Sequence, residues 1–124
     1  MTTDALAGLY ILLLEDEFLI AMDVEQICKE HGAASVVIKR EVGELSDEIW
    51  NEDFDVALID LMLAGHSTTP FARTLQDRKV PFVFASGYSD IDGLRAEFPG
   101  VGFIGKPYSE TALVEAIFAA VRPE

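Results

Sequence analysis

Apolar residues in this chain follow two rhythms: short unbroken runs, and longer stretches where they recur every three or four positions. Leu9–Leu14 (LYILLL) is an unbroken run between Gly8 and the acidic Glu15-Asp16-Glu17. It is too short for an independent helix and predicts a strand buried on both faces. From Phe18 to His31 the apolar positions are Ile20, Val24, Ile27 and Cys28, one helical face that Gly32 closes. Ala34–Ile38 (ASVVI) predicts a second strand, and Val42, Leu45 and Ile49 a second amphipathic helix weakened by Gly43. Phe54–Asp60 (FDVALID) is a third strand, ending on an aspartate. A loop through Gly65 leads to Thr69-Pro70, which predicts a helix with threonine as cap and proline at its first position, running to about Lys79. Val80–Ala85 (VPFVFA) is the fourth strand, with Ser86-Gly87 at its end. Ser89–Glu97 is polar, contains Gly93 and precedes Pro99, which predicts a short fourth helix or a mobile loop. Val101–Ile104 is a fifth strand, and Ser109 caps a last helix with Leu113, Ala116, Ile117 and Ala120 inward.

Strands that alternate with helices predict an α/β fold of βα units wound around a parallel sheet, one domain over residues 1–124. In such sheets the ligand crevice lies beyond the carboxyl ends of the strands. Glu15 and Asp16 follow the first strand, Asp60 ends the third, Ser86 the fourth, and Lys106 follows the fifth. The topology therefore brings three carboxylates, a hydroxyl and an ammonium to one rim. Two carboxylates ~4 Å apart repel by about 4 kcal/mol at an effective dielectric of 20. A hard divalent cation relieves that repulsion. Mg²⁺, with Mn²⁺ as a substitute, suits carboxylates and a phosphate oxygen, whereas Zn²⁺ favours nitrogen or sulfur. Asp60 is the natural nucleophile, because a carboxylate attacking phosphorus gives an acyl phosphate. Lys106 and Ser86 are suited to the oxygens of the transferred group.

Composition narrows the partners. The 124 residues are 50% hydrophobic, enough for a core, and 9 basic residues against 22 acidic ones give a net charge of -13. That surface repels nucleic acid and anionic membranes. The single Cys28 excludes an internal disulfide and reads as a buried, inert thiol. With neither a signal-like start nor a membrane-length apolar stretch, the expected location is the cytoplasm. His66 reads as an exposed loop histidine, His31 as a helix-end cation, and Trp50 as packing. Phe118 lies off the inward stripe of the last helix and, with Tyr108, is a candidate exposed aromatic surface.

Four segments in order, LLLEDE (Leu12–Glu17), LIDLML (Leu58–Leu63), FASGY (Phe84–Tyr88) and FIGKPY (Phe103–Tyr108), resemble the receiver domain of two-component response regulators over nearly the whole chain. The resemblance implies a single-domain flavodoxin-like (βα)5 doubly wound sheet of strand order 2-1-3-4-5. It implies Asp60 as phosphoacceptor and Glu15, Asp16, Asp60 and the Met62 carbonyl as Mg²⁺ ligands. Ser86 is then the switch hydroxyl, Lys106 the conserved-type lysine, Phe103 the aromatic switch, and Met62 and Tyr88 modulators of phosphoryl lifetime. A cis Lys106-Pro107 peptide is also implied. The run VPFVFASGYS resembles the FATGUY subgroup, with Ser86 for its threonine, and STTPFARTL resembles that subgroup's third-helix entry. Such receivers have a reduced, mobile fourth helix and work with HWE-type histidine kinases. The loop after Asp60 departs from many receivers in carrying Ala64 near the place of a proline.

The expected function is that of a stand-alone phosphoacceptor signalling domain rather than an enzyme acting on other molecules. Its donor is a sensor histidine kinase or a histidine phosphotransfer protein, and it is a monomer or weak homodimer. It switches conformation towards a protein partner or drains phosphate from a competing receiver. The alternative is a pseudo-receiver, an interaction module indifferent to phosphorylation, against which the intact set of five polar groups argues. A flavin-binding or hydrolytic α/β domain is a third class, but the chain has no glycine-rich phosphate loop after the first strand and no Gly-x-Ser-x-Gly elbow.

Overall fold

The five apolar runs become five parallel strands in a computed structural model that describes residues 4–86 and 92–122. The elements in chain order are β1 (Tyr10–Leu14), α1 (Phe18–Glu30), β2 (Ser35–Lys39), β3 (Val56–Asp60), β4 (Met62–Leu63), β5 (His66–Ser67), α2 (Thr69–Asp77), β6 (Phe82–Ser86), α3 (Asp92–Glu97), β7 (Gly102–Gly105) and α4 (Glu110–Val121). The main sheet has the order β2-β1-β3-β6-β7, the expected 2-1-3-4-5 once the small β4–β5 ribbon is set aside.

Side chains alternate across each central strand. Ile11 and Leu13, Val56 and Leu58, and Val83 and Ala85 pack with Ala21, Val24 and Cys28 of α1 and Leu113, Val114 and Ile117 of α4. Leu12 and Leu14, Ala57 and Ile59, and Phe82 and Phe84 face the other way, onto Ile49, Ala72 and Leu75 of α2, and Phe98. Strands buried on both faces explain why their runs are unbroken. Gly32, after α1, is the position that accepts no side chain. Its φ is +99°, and an added Cβ would stand 3.0 Å from the Ala7 main chain.

Three elements depart from expectation. Val42–Asn51 forms two 3-10 turns, Val42–Glu44 and Asp47–Asn51, instead of an α-helix. Glu41 and Glu44 close a reciprocal capping box around the first turn, and Ser46 is extended, so the segment never propagates. Thr69 is the first residue of α2 rather than its cap. Thr68 holds the cap position without a capping side-chain bond, and the helix ends at Asp77, before Lys79 at φ 62°. The loop after Asp60 folds into the β4–β5 ribbon around Ala64 (φ 50°) and Gly65 (φ 85°). The fourth helix is short, Asp92–Glu97; its expected start at Ser89 lies outside the described residues.

Elsewhere the pattern holds. Ser109 Oγ accepts from Ala112 N at 3.1 Å and caps α4, and Lys106-Pro107 is cis. Trp50 stacks on Phe71 with the Arg78 guanidinium 4.1 Å from its ring centre. Phe118 is exposed, but Tyr108 packs into the α1/α4 side of the core with its hydroxyl buried, so the two form no joint aromatic surface. Among the described residues no helix is long and apolar enough to cross a membrane.

Candidate functional site

Register along the sheet puts the polar residues at one edge. β1 and β3 pair Leu14 with Ile59, so Glu15 and Asp60 emerge side by side. β3 and β6 pair Asp60 with Ala85, and β6 and β7 pair Ser86 with Gly105, one residue before Lys106. Lys106 N also donates to Ser86 O at 3.0 Å, which fastens the lysine beside the serine.

Lys106 Nζ lies 3.0 Å from Glu15 Oε1 and 2.9 Å from Asp60 Oδ2, bridging the ends of β1 and β3. Glu15 is 1% exposed and Asp60 8%. Glu15 Oε2 additionally accepts from Glu17 N at 3.1 Å. Asp16 joins the pair: one carboxylate oxygen from each of Glu15, Asp16 and Asp60 lies within 4.8 Å of the others.

The electrostatics follow from burial. Desolvation holds the Asp60 carboxyl above the usual carboxylate range; the Lys106 ammonium offsets this in part, while Asp16 and Glu17 add to it. Glu15 is raised in the same way, by burial first and by the Asp60 charge, against the pull of Lys106 and the Glu17 N–H. Burial on its own lowers Lys106. The hydrogen bonds and charges of Asp60 and Glu15 outweigh it, and the ammonium is held above its ordinary value. Three carboxylates thus face one ammonium. An all-oxygen set this close fits a hard divalent cation of the Mg²⁺ or Mn²⁺ kind, and it has neither nitrogen nor sulfur for zinc.

Of the residues singled out by sequence, Glu15, Asp16, Asp60, Ser86 and Lys106 share this rim. Met62 is two residues past Asp60 in β4, with an exposed side chain. Phe103 is half-buried in β7 against Phe84 at 5.3 Å between ring centres, under the Arg95 guanidinium at 5.0 Å. Tyr88 lies outside the described residues. The exposed His66 ring lies 3.2 Å from Ala64 O in its own turn, and His31 pairs with Glu110 at 2.9 Å.

Sequence reasoning missed three supports. Buried Thr68 donates from Oγ1 to Asp60 O at 2.7 Å and lies 3.1 Å from Leu61 O, fixing the chain at the end of β3. Ala64 N donates to Asp16 Oδ2 at 2.9 Å from the tip of the β4–β5 ribbon. Arg40 Nη2 donates to Asp16 O at 3.1 Å. The Thr-Thr-Pro run was the available signal for Thr68. It points to a helix cap, and only the fold turns one hydroxyl back to β3.

Comparison with known proteins agrees with this geometry. The family model for the response regulator receiver domain matches residues 11–118. Sensory transduction protein RegX3 of Mycolicibacterium smegmatis is 30% identical over 115 residues, 90% of this chain and 50% of that protein. The chain spans about half the length of the curated relatives it matches. Among solved structures, the response regulator PhyR from Brucella abortus superimposes with a TM-score of 0.81 at 27% identity, covering 96% of this chain and 50% of that one. The N-terminal signal receiver domain of a response regulator from Bacteroides fragilis gives 0.78 at 24% identity over 95% and 99% of the two chains, a likeness of fold.

Proposed function

The chain belongs to the response regulator receiver domain family, and from that premise we propose that residues 1–124 form one receiver whose Asp60 accepts a phosphoryl group. The observation that carries this reading is the bridge from Lys106 Nζ to Glu15 and Asp60, at 3.0 and 2.9 Å, with Asp16 in the same pocket. A pseudo-receiver would have no use for a half-buried ammonium held between two carboxylates.

In the reaction proposed, an Asp60 oxygen attacks phosphorus of a phosphohistidine. The new P–O bond forms as the P–N bond breaks, and the imidazole leaves with its electron pair and takes up a proton. Lys106 exchanges its contact with Asp60 for one with a phosphoryl oxygen, and Ser86 supplies a hydroxyl from the adjacent strand end. Glu15, Asp16, Asp60 and the Met62 carbonyl would hold Mg²⁺, which when bound neutralises charge on the transferred group. Later attack of water on phosphorus returns the carboxylate.

The donor would be a histidine kinase, of the HWE type that the FATGUY likeness implies, or a phosphotransfer protein. Exposed apolar side chains support a protein donor: Phe18 (55% exposed), Leu19 (79%) and Met22 on the first turns of α1, and Met62 in β4. Phosphorylation would bias an existing equilibrium, with Ser86 and Phe103 as the moving parts and Met62 and Tyr88 as modulators of lifetime. The expected test result is Mg²⁺-dependent labelling by acetyl phosphate that Asp60→Asn abolishes. An Asp60→Asn variant that still gains the label removes the assignment.

A further inference from the structure

Asp16 is held from two directions by segments far away in sequence. Its carboxylate receives the Ala64 N–H at 2.9 Å, and its main-chain carbonyl receives Arg40 Nη2 at 3.1 Å. The first contact alone leaves the residue free to pivot about its side chain. The second fixes the main chain between Glu15 and Glu17, the stretch from which the acidic pair projects.

Arg40 is itself firmly placed. It follows β2 directly, and Glu15 N donates to Lys39 O at 3.1 Å, so the end of β2 already touches the acidic loop. Glu44 Oε1 accepts from Arg40 N and from Glu41 N, part of the capping box that keeps Val42–Glu44 a 3-10 turn. The guanidinium then reaches over the Phe18 ring, 5.9 Å from its centre, to Asp16 O. The turn that replaces the expected second helix is what aims this arginine at the pocket.

We propose that Arg40 is a positioning residue for the metal-dependent acceptor site, pinning the main chain at Asp16 so that its carboxylate stays in register with Glu15 and Asp60. This rests on the receiver reading above. Ligands are tuned by the groups that orient them, and loss of such a group typically weakens metal binding by about 10–100-fold.

The sign of the effect separates positioning from charge. A cation beside the pocket repels Mg²⁺, so if Arg40 acted only through its charge, removing it would tighten binding. Positioning demands the reverse. The experiment is calorimetric titration of Mg²⁺ into wild type and into Arg40→Met, which keeps an apolar stem over Phe18 but has no donor. Amide exchange at residues 16–18 and the metal-free melting temperature are measured alongside. The expected result is about tenfold weaker Mg²⁺ binding, faster exchange at residues 16–18 and an unchanged melting temperature, with Arg40→Lys recovering part of the affinity. Equal or tighter binding in Arg40→Met overturns the proposal while leaving the receiver reading intact. Failure of the wild type to bind Mg²⁺ overturns both.

Discussion

Lys106 stands between two carboxylates that burial has already pushed towards their neutral forms, and its position decides what the pocket can do. Without it, Glu15 and Asp60 would face each other across the ends of β1 and β3 with no compensating charge. With it, Asp60 Oδ2 accepts a hydrogen bond from the ammonium in a largely dehydrated place, which offsets part of the cost of burial. Cys28 is the opposite case. It is fully buried on the α1 face of the core, and burial pushes its thiol up to about 12. A thiol raised in the fold contributes stability that is fully present below its unfolded value and is lost as pH rises towards 12. Native protein is therefore expected to resist a thiol reagent at pH 8 and to react at once in denaturing urea; rapid native labelling would contradict the burial. Such residue-level facts were unequally legible. Cys28 sat on a helical stripe and was readable as core, whereas Arg40 and Thr68 act on backbone carbonyls, whose partners no side-chain pattern reveals.

Strands and helices differ in how openly they are written. The central strands β1, β3 and β6 are two-sided buried runs, and the apolar runs of all five sheet strands were legible with ends shifted by one or two residues. The segment after β2 misled because Val42, Leu45 and Ile49 fit a helical stripe, while Glu41 and Glu44 offered the backbone competing partners and Ser46 is extended. The β4–β5 ribbon was hidden for another reason. Only four residues pair, and what orders the tip is the distant Asp16 carboxylate. Gly65 sits there at φ +85°, with open space where a Cβ would stand. Gly65→Ala should then cost about 1 kcal/mol of backbone strain alone, lowering the melting temperature by roughly 4 °C. It should also weaken Mg²⁺ binding by loosening the Ala64 N–H from Asp16. A melting temperature that does not move would show that the turn relaxes without strain.

Across the whole molecule, 22 acidic residues against 9 basic ones set up a general self-repulsion, and the pocket gathers three of those carboxylates within 4.8 Å of one another. Salt and Mg²⁺ should act differently on these two layers. Raising NaCl from about 0.01 to 0.5 M screens the surface charges and should raise the metal-free melting temperature of wild type and Asp16→Asn alike. MgCl₂ at matched ionic strength should raise it further in wild type only. Equal increments in both proteins would mean that Mg²⁺ acts as a screening ion and that the pocket is not its site.

The sequence by itself determined the class of fold and which polar groups gather at one edge of its sheet. Unbroken apolar runs alternating with helical stripes point to a covered parallel sheet, and polar residues placed after such runs gather at its carboxyl edge. What only the tertiary structure decided was how those groups are held: Lys106 between Glu15 and Asp60, Asp16 fastened by Ala64 and Arg40, and the end of β3 fixed by Thr68. The physical reason is that burial is a property of local sequence pattern, while hydrogen bonds to main-chain atoms depend on the register of strands that meet only after the chain has folded.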